Sequence, residues 1–98
     1  MRVISIDDKD PVEIIPVTFD FTKEAASVDG AVITLSVVEG TDAAAISMIF
    51  GSYQITDKVV SQLIRNGVSG VTYLIRCEIT SGNQKYAKSC YMTARTQR

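Results

Sequence analysis

The sequence predicts an all-β domain, built as an antiparallel sandwich of about seven strands. Three observations predict it. Residues 71–80 alternate strictly: Val71, Tyr73, Ile75, Cys77 and Ile79 point one way, and Thr72, Leu74, Arg76, Glu78 and Thr80 the other. That is the period-two pattern of a strand with one buried and one wet face. Turn-forming pairs such as Asp29-Gly30, Gly51-Ser52, Asn66-Gly67 and Gly82-Asn83 punctuate the chain, about every 8–12 residues, as in sandwiches and barrels. No stretch carries a sustained helical period. An open barrel of similar size is the competing architecture.

The chain divides into elements as follows. Residues 1–12 form an N-terminal arm or edge strand: 1–6 alternate, and Asp7-Asp8-Lys9-Asp10-Pro11 reads as a polar turn that Pro closes. Its aspartates lack the Gly and distal Glu of a helical calcium loop, so it reads as solvated. Residues 13–21 are a strand with Ile15, Val17, Phe19 and Phe21 on one face; Pro16, on the other, marks a sheet edge or a switch between sheets. Residues 22–30 are a connection. Residues 31–39 are a β-branched strand with Ile33, Leu35 and Val37 on one face. Residues 43–50 read either as a helical turn capped by Asp42 or as a strand; a short irregular piece followed by a strand fits best, because eight residues are few for a helix. Gly51-Ser52 is then a turn before a short extended piece at 53–55, and Thr56-Asp57 turns again.

Residues 58–65 are the next strand, with either Val59, Ser61 and Leu63 or Val60, Gln62 and Ile64 facing inward. Residues 71–80 and 85–95 form the central hairpin. A two-residue loop at Gly82-Asn83 sets Ser81 opposite Gln84, Ile79 opposite Tyr86, Ile75 opposite Cys90 and Tyr73 opposite Met92. That register gathers apolar side chains on one face, and a one-residue slip would replace them with Lys85, Ala87, Ser89, Tyr91 and Thr93. Residues 96–98 are a fraying tail.

With 98 residues the chain makes one domain, spanning 1–98, and with 46% apolar residues it has material for a core. Its net charge of −1 provides no basic field, which argues against nucleic-acid binding. No apolar run has transmembrane length and no apolar leader follows Met1, so no membrane role and a cytoplasmic site of synthesis are expected. Cys77 and Cys90 fall diagonally on one face of the hairpin, too far apart for easy bridging, and are expected as buried thiols. Two Cys without any His do not complete a zinc site. The lack of His also removes the commonest general base, and the carboxylates are scattered through turns. The reading is therefore a non-enzyme without metal or cofactor.

The wet face of the hairpin offers the candidate contact residues: Leu74, Arg76, Glu78, Lys85 and Tyr91, with Lys88 nearby. Arg and Tyr are favoured binding anchors; the alternative is a solvated face with cross-strand charge pairs. Ile49, Phe50 and Leu74 are apolar residues that alternation turns outward. Seven short strands of this kind suit an immunoglobulin-like or fibronectin-III-like topology. In such sandwiches a Tyr near the start of the penultimate strand ties its hydroxyl back to the preceding turn. Tyr73, after Gly67 and Gly70, is placed either for that role or as an ordinary half-buried strand Tyr.

A set of segments resembles a known group. They are Asp10-Pro11; Thr18-Phe19-Asp20-Phe21; Ile33-Thr34-Leu35-Ser36-Val37; Gly51 with Val59-Val60-Ser61-Gln62-Leu63; Asn66-Gly67-Val68-Ser69-Gly70-Val71-Thr72-Tyr73-Leu74-Ile75-Arg76-Cys77; and Thr80-Ser81-Gly82. Together, over about residues 10–94, they resemble small immunoglobulin-like proteins encoded in the structural modules of tailed bacteriophages and prophages. The resemblance implies a head- or tail-associated structural or accessory protein, found in the bacterial host cytoplasm and then in the virion. It implies partners among other phage structural proteins or copies of itself, and no catalytic residues. A detached carbohydrate- or ligand-binding β-sandwich module is the alternative; it would need an exposed aromatic platform drawn from Tyr53, Tyr86 and Tyr91.

Overall fold

The computed structural model describes residues 13–94, together with the backbone of a strand at Arg2–Lys9. The expected turn at Asp10-Pro11 and the tail at 96–98 lie outside the described residues. In chain order the strands are β1 (Arg2–Lys9), β2 (Ile15–Asp20), β3 (Gly30–Glu39), β4 (Ile49–Thr56), β5 (Val59–Ile64), β6 (Thr72–Ser81) and β7 (Gln84–Ala94), with one 3₁₀ turn at Ala45–Met48. They form two sheets, a larger one in the order β1-β7-β6-β3 and a smaller one in the order β2-β5-β4. The chain is thus an all-β, two-sheet sandwich.

One core lies between the sheets. β2 contributes Val17 and Phe19, β5 contributes Val60 and Ile64, β6 contributes Tyr73, Ile75, Cys77 and Ile79, and β7 contributes Cys90, Met92 and Ala94. Burial alternates strictly along β5 and β6, and along the inner parts of β2 and β7 with Ser89 as the exception, as the pleat requires when one face meets another sheet. Phe21, Ala25 and Met48 close the core from the connections.

The β6–β7 register matches the sequence reading: Ser81 lies opposite Gln84, Ile79 opposite Tyr86, Ile75 opposite Cys90 and Tyr73 opposite Met92. Gly82 takes φ +58 and Asn83 keeps a negative φ, the pattern of a hairpin turn that wants Gly first. Cys77 and Cys90 are free, buried thiols. Burial pushes Cys77 up to about 12 and Cys90 up to about 11.

Several expectations are corrected. β1 runs on through Asp7, Asp8 and Lys9 rather than turning there, with a register irregularity between Ile6 and Lys9. Strand pairing uses main-chain groups, so the open edge of β7 can hold a polar segment. β1 also pairs with β7 in parallel, so the sandwich is antiparallel in every pair but this one. Gly51-Ser52 is not a turn: β4 is continuous, and its register shifts between Phe50 and Gln54, with Gly51 at φ +72.

That irregularity explains β5. Of the two possible inward sets, Val60, Gln62 and Ile64 are buried. The Gln62 amide donates to the Phe50 carbonyl (3.0 Å), the Gly51 carbonyl (3.2 Å) and the Leu63 carbonyl (3.0 Å). The extra residues of β4 point carbonyls inward, and a buried amide satisfies them where an apolar side chain would leave them orphaned.

At the end of the sandwich where β6 begins, the Tyr73 hydroxyl accepts from the Val68 N–H at 2.8 Å and donates to the Asp42 carboxylate at 2.7 Å. Asp42 also accepts from the Ala44 N–H at 3.0 Å, closing a local turn two residues long just before Ala45–Met48. One phenol therefore ties the loop after β3 to the loop after β5. Burial, then the Asp42 acceptor, raises its pKa against the opposing effect of the Val68 N–H. Gly67 sits in the same knot at φ +110, where a Cβ would lie 3.0 Å from that of Ala94.

Candidate interaction surface

β6 and β7 place Leu74, Arg76, Glu78, Lys85 and Tyr91 together on the outer face of the larger sheet. Leu74 lies opposite Tyr91, Arg76 opposite Ser89, Glu78 opposite Ala87 and Thr80 opposite Lys85. Tyr91 is 40% exposed, Leu74 is half-buried beside it, and Ser89 between them and Lys85 is buried. The carboxylate of Glu78 meets Arg76 at 3.4 Å and Lys85 at 3.6 Å. These pairs are well solvated and contribute little to stability, about 0–1 kcal/mol. They hold the charged heads beside the apolar pair, which leaves an amphipathic strip running from Tyr91 to Lys85.

Lys88 does not join that strip. It pairs across from Cys77, on the inward parity of β7. Its amine meets Glu24 at 3.1 Å and donates to the Asp20 carbonyl, and it stands 5.3 Å over the Phe21 ring. It seals one end of the core, its stem packed and its head paired. Nor do the outward apolar residues make one patch. Leu74 belongs to the larger sheet, Phe50 lies opposite Leu63 on the smaller sheet, and Ile49 lies opposite buried Ile64 and is half-buried. Phe50 is capped by the Arg65 guanidinium, 4.6 Å over its ring.

The three tyrosines available for an aromatic platform sit apart. Tyr53 is on β4 of the smaller sheet, while Tyr86 and Tyr91 lie on opposite parities of β7. Tyr86 is tied to Gln84 at 2.7 Å. A shallow depression beside β7 is lined by Phe21, Glu24, Arg76, Tyr86 and Lys88, and its Lys88 is already paired to Glu24. Among the described residues no cluster of three or more His, Cys, Asp or Glu side chains is arranged to hold a metal ion, and no helix is long and apolar enough to cross a membrane.

The sequence matches no protein-family model and no curated relative.

Proposed function

We propose that this chain is a non-catalytic, immunoglobulin-like interaction domain, a structural or accessory component of a tailed-phage or prophage particle. It docks on a neighbouring structural protein through the outer face of β6 and β7. The strand arrangement supports the fold reading. Lettered in chain order, the smaller sheet holds strands B, E and D and the larger holds C, F and G, as in immunoglobulin domains, with the first strand added beside G. The Tyr73 hydroxyl bonded back to Val68 supports it further.

The docking reading rests on one observation above the others: exposed Tyr91 opposite Leu74, flanked by Arg76, Glu78 and Lys85 on two paired strands. An aromatic with a polar tip next to an Arg is the composition of an interface centre. The virion context comes from the sequence resemblance. The site of synthesis is the host cytoplasm and the destination the particle.

The test is a Tyr91→Ala/Arg76→Ala variant made in the host that encodes the chain. Its share in the purified particle fraction is expected to fall at least tenfold, while its melting temperature stays within a few degrees of the wild type. Undiminished incorporation would refute the docking face.

A further inference from the structure

The sheet edges of this sandwich are not equivalent. Exposed edge strands invite pairing, and proteins blunt them with Pro, charge or bulges. β2 carries Pro16, β4 bulges where its register shifts between Phe50 and Gln54, and β1 has its own irregularity between Ile6 and Lys9. The stretch of β7 that β1 does not reach, before Lys88, carries Lys85. Over Gly30–Val37 β3 carries no Pro, charge or bulge, although the Ala45–Met48 turn packs against part of the strand. It pairs with β6 without a break from Gly30 to Val37, and its only irregularity lies between Val37 and Glu39. It contains no Pro and no charge between Asp29 and Glu39. Among the described residues, no turn or loop backbone bond involves 31–39. Val32 and Val38 are 59% and 51% exposed.

The sequence of this edge is a chemical palindrome. About Leu35, Thr34 mirrors Ser36, Ile33 mirrors Val37, and Val32 mirrors Val38. Antiparallel pairing of two identical strands about a two-fold axis matches residues that mirror each other in this way. We infer that β3 pairs antiparallel with β3 of a second copy of this chain, about a two-fold axis through Leu35. The two larger sheets then join into one eight-stranded sheet.

In this register the outward hydroxyls of Thr34 and Ser36 face each other across the axis, and the inward Ile33 and Val37 do the same. Val32 comes opposite Val38, the residue at which the β3 register shifts, at the two ends. Cross-strand partners of like character are the unit of sheet stability. Neighbouring registers of the same facing are worse. Centring on Thr34 sets Ser36 against Val32 and Glu39 against Asp29 of the copy. Centring on Ser36 sets Thr34 against Val38 and Val32 against Gly40, whose φ of +93 leaves the strand conformation. Registers between these would put outward residues against inward ones. The inference uses the β3 edge alone and stands apart from the docking face on β6 and β7.

The test is sedimentation velocity of the full chain over a wide concentration series. The wild type is expected to reach twice the chain mass of 10.7 kDa. A Thr34→Lys/Ser36→Lys variant places like charges opposite each other at two positions and is expected to weaken association about tenfold or more. A Thr34→Glu/Ser36→Lys variant places opposite charges there and is expected to restore the dimer; only the register centred on Leu35 does so, because the others oppose Glu to Glu or Lys to Lys. Should the double-lysine variant lose its fold by circular dichroism, Thr34→Glu/Ser36→Glu, with position 34 beside Arg76, serves in its place. A wild type monomeric at every concentration overturns the inference. So does a dimer indifferent to like charges, or a Glu/Lys variant that stays monomeric.

Discussion

Replacing Tyr73 by Phe removes one oxygen and leaves the ring, so no cavity opens. What is lost is two hydrogen bonds, the one accepted from Val68 at 2.8 Å and the one donated to Asp42 at 2.7 Å. A neutral bond contributes about 0.5–1.5 kcal/mol and one to a charged group about 1.5–3. Val68 is exposed and Asp42 half-buried, so water can take over part of both roles. The expected loss is therefore about 1–3 kcal/mol, below the simple sum. For a domain of this size each kcal/mol moves the melting temperature by about 4–8 °C. Urea and thermal unfolding measure it, and an unchanged m-value would show that the change lies in native stability. A Tyr73→Phe/Asp42→Ala cycle should show coupling of about 1 kcal/mol. The phenol's pKa is raised on folding, so its stabilising effect is present below pH 10 and fades as pH climbs through the raised value. The gap between wild type and variant should narrow there. A loss under about 0.5 kcal/mol, the size of an ordinary surface change, would refute the claim that this hydroxyl ties the loops together.

Other outcomes follow from the same geometry. Gln62→Leu keeps the volume but orphans the carbonyls of Phe50 and Gly51, and should cost about 1–3 kcal/mol; amide exchange in β4 should quicken more than in β6. Gly67→Ala forces a Cβ against Ala94 and Met48 at a φ of +110, and should lower the melting temperature clearly in a thermal scan. Both thiols should resist a thiol-directed reagent in the native state and react once the chain is unfolded. Because folding raises both cysteine pKa values, the stability they allow is complete below about pH 9 and declines as pH rises toward 11–12; denaturant midpoints across that range check it.

The hairpin was the most legible part of the sequence. Its alternation and Gly82-Asn83 turn are local signals, and they specify the register found in β6 and β7. β3 was legible for the same reason. The inward face of β5 was not, because Gln62 is buried only to serve carbonyls in β4, a contact no local pattern announces. β4 itself looked like two pieces, since a positive-φ Gly reads the same whether it makes a turn or a bulge. β1 was obscured by its aspartates, whose strand pairing depends on the free edge of β7 rather than on side-chain pattern. In the candidate surface, period two brought Leu74, Arg76, Glu78 and Tyr91 onto one face. It also assigns Lys88 to the other parity, where Glu24 and Phe21 hold it. The Asp42–Tyr73 link spans loops far apart in the chain and required the fold to be seen.

The proposed role is tested most directly by whether the chain is a particle protein. Phage particles produced by the host that encodes it should be banded on a density gradient, and the band's proteins identified and quantified by mass spectrometry. The wild-type chain is expected in the particle band at a fixed copy number relative to the major structural proteins. Recovery of the chain only among soluble host proteins at the top of the gradient would contradict it.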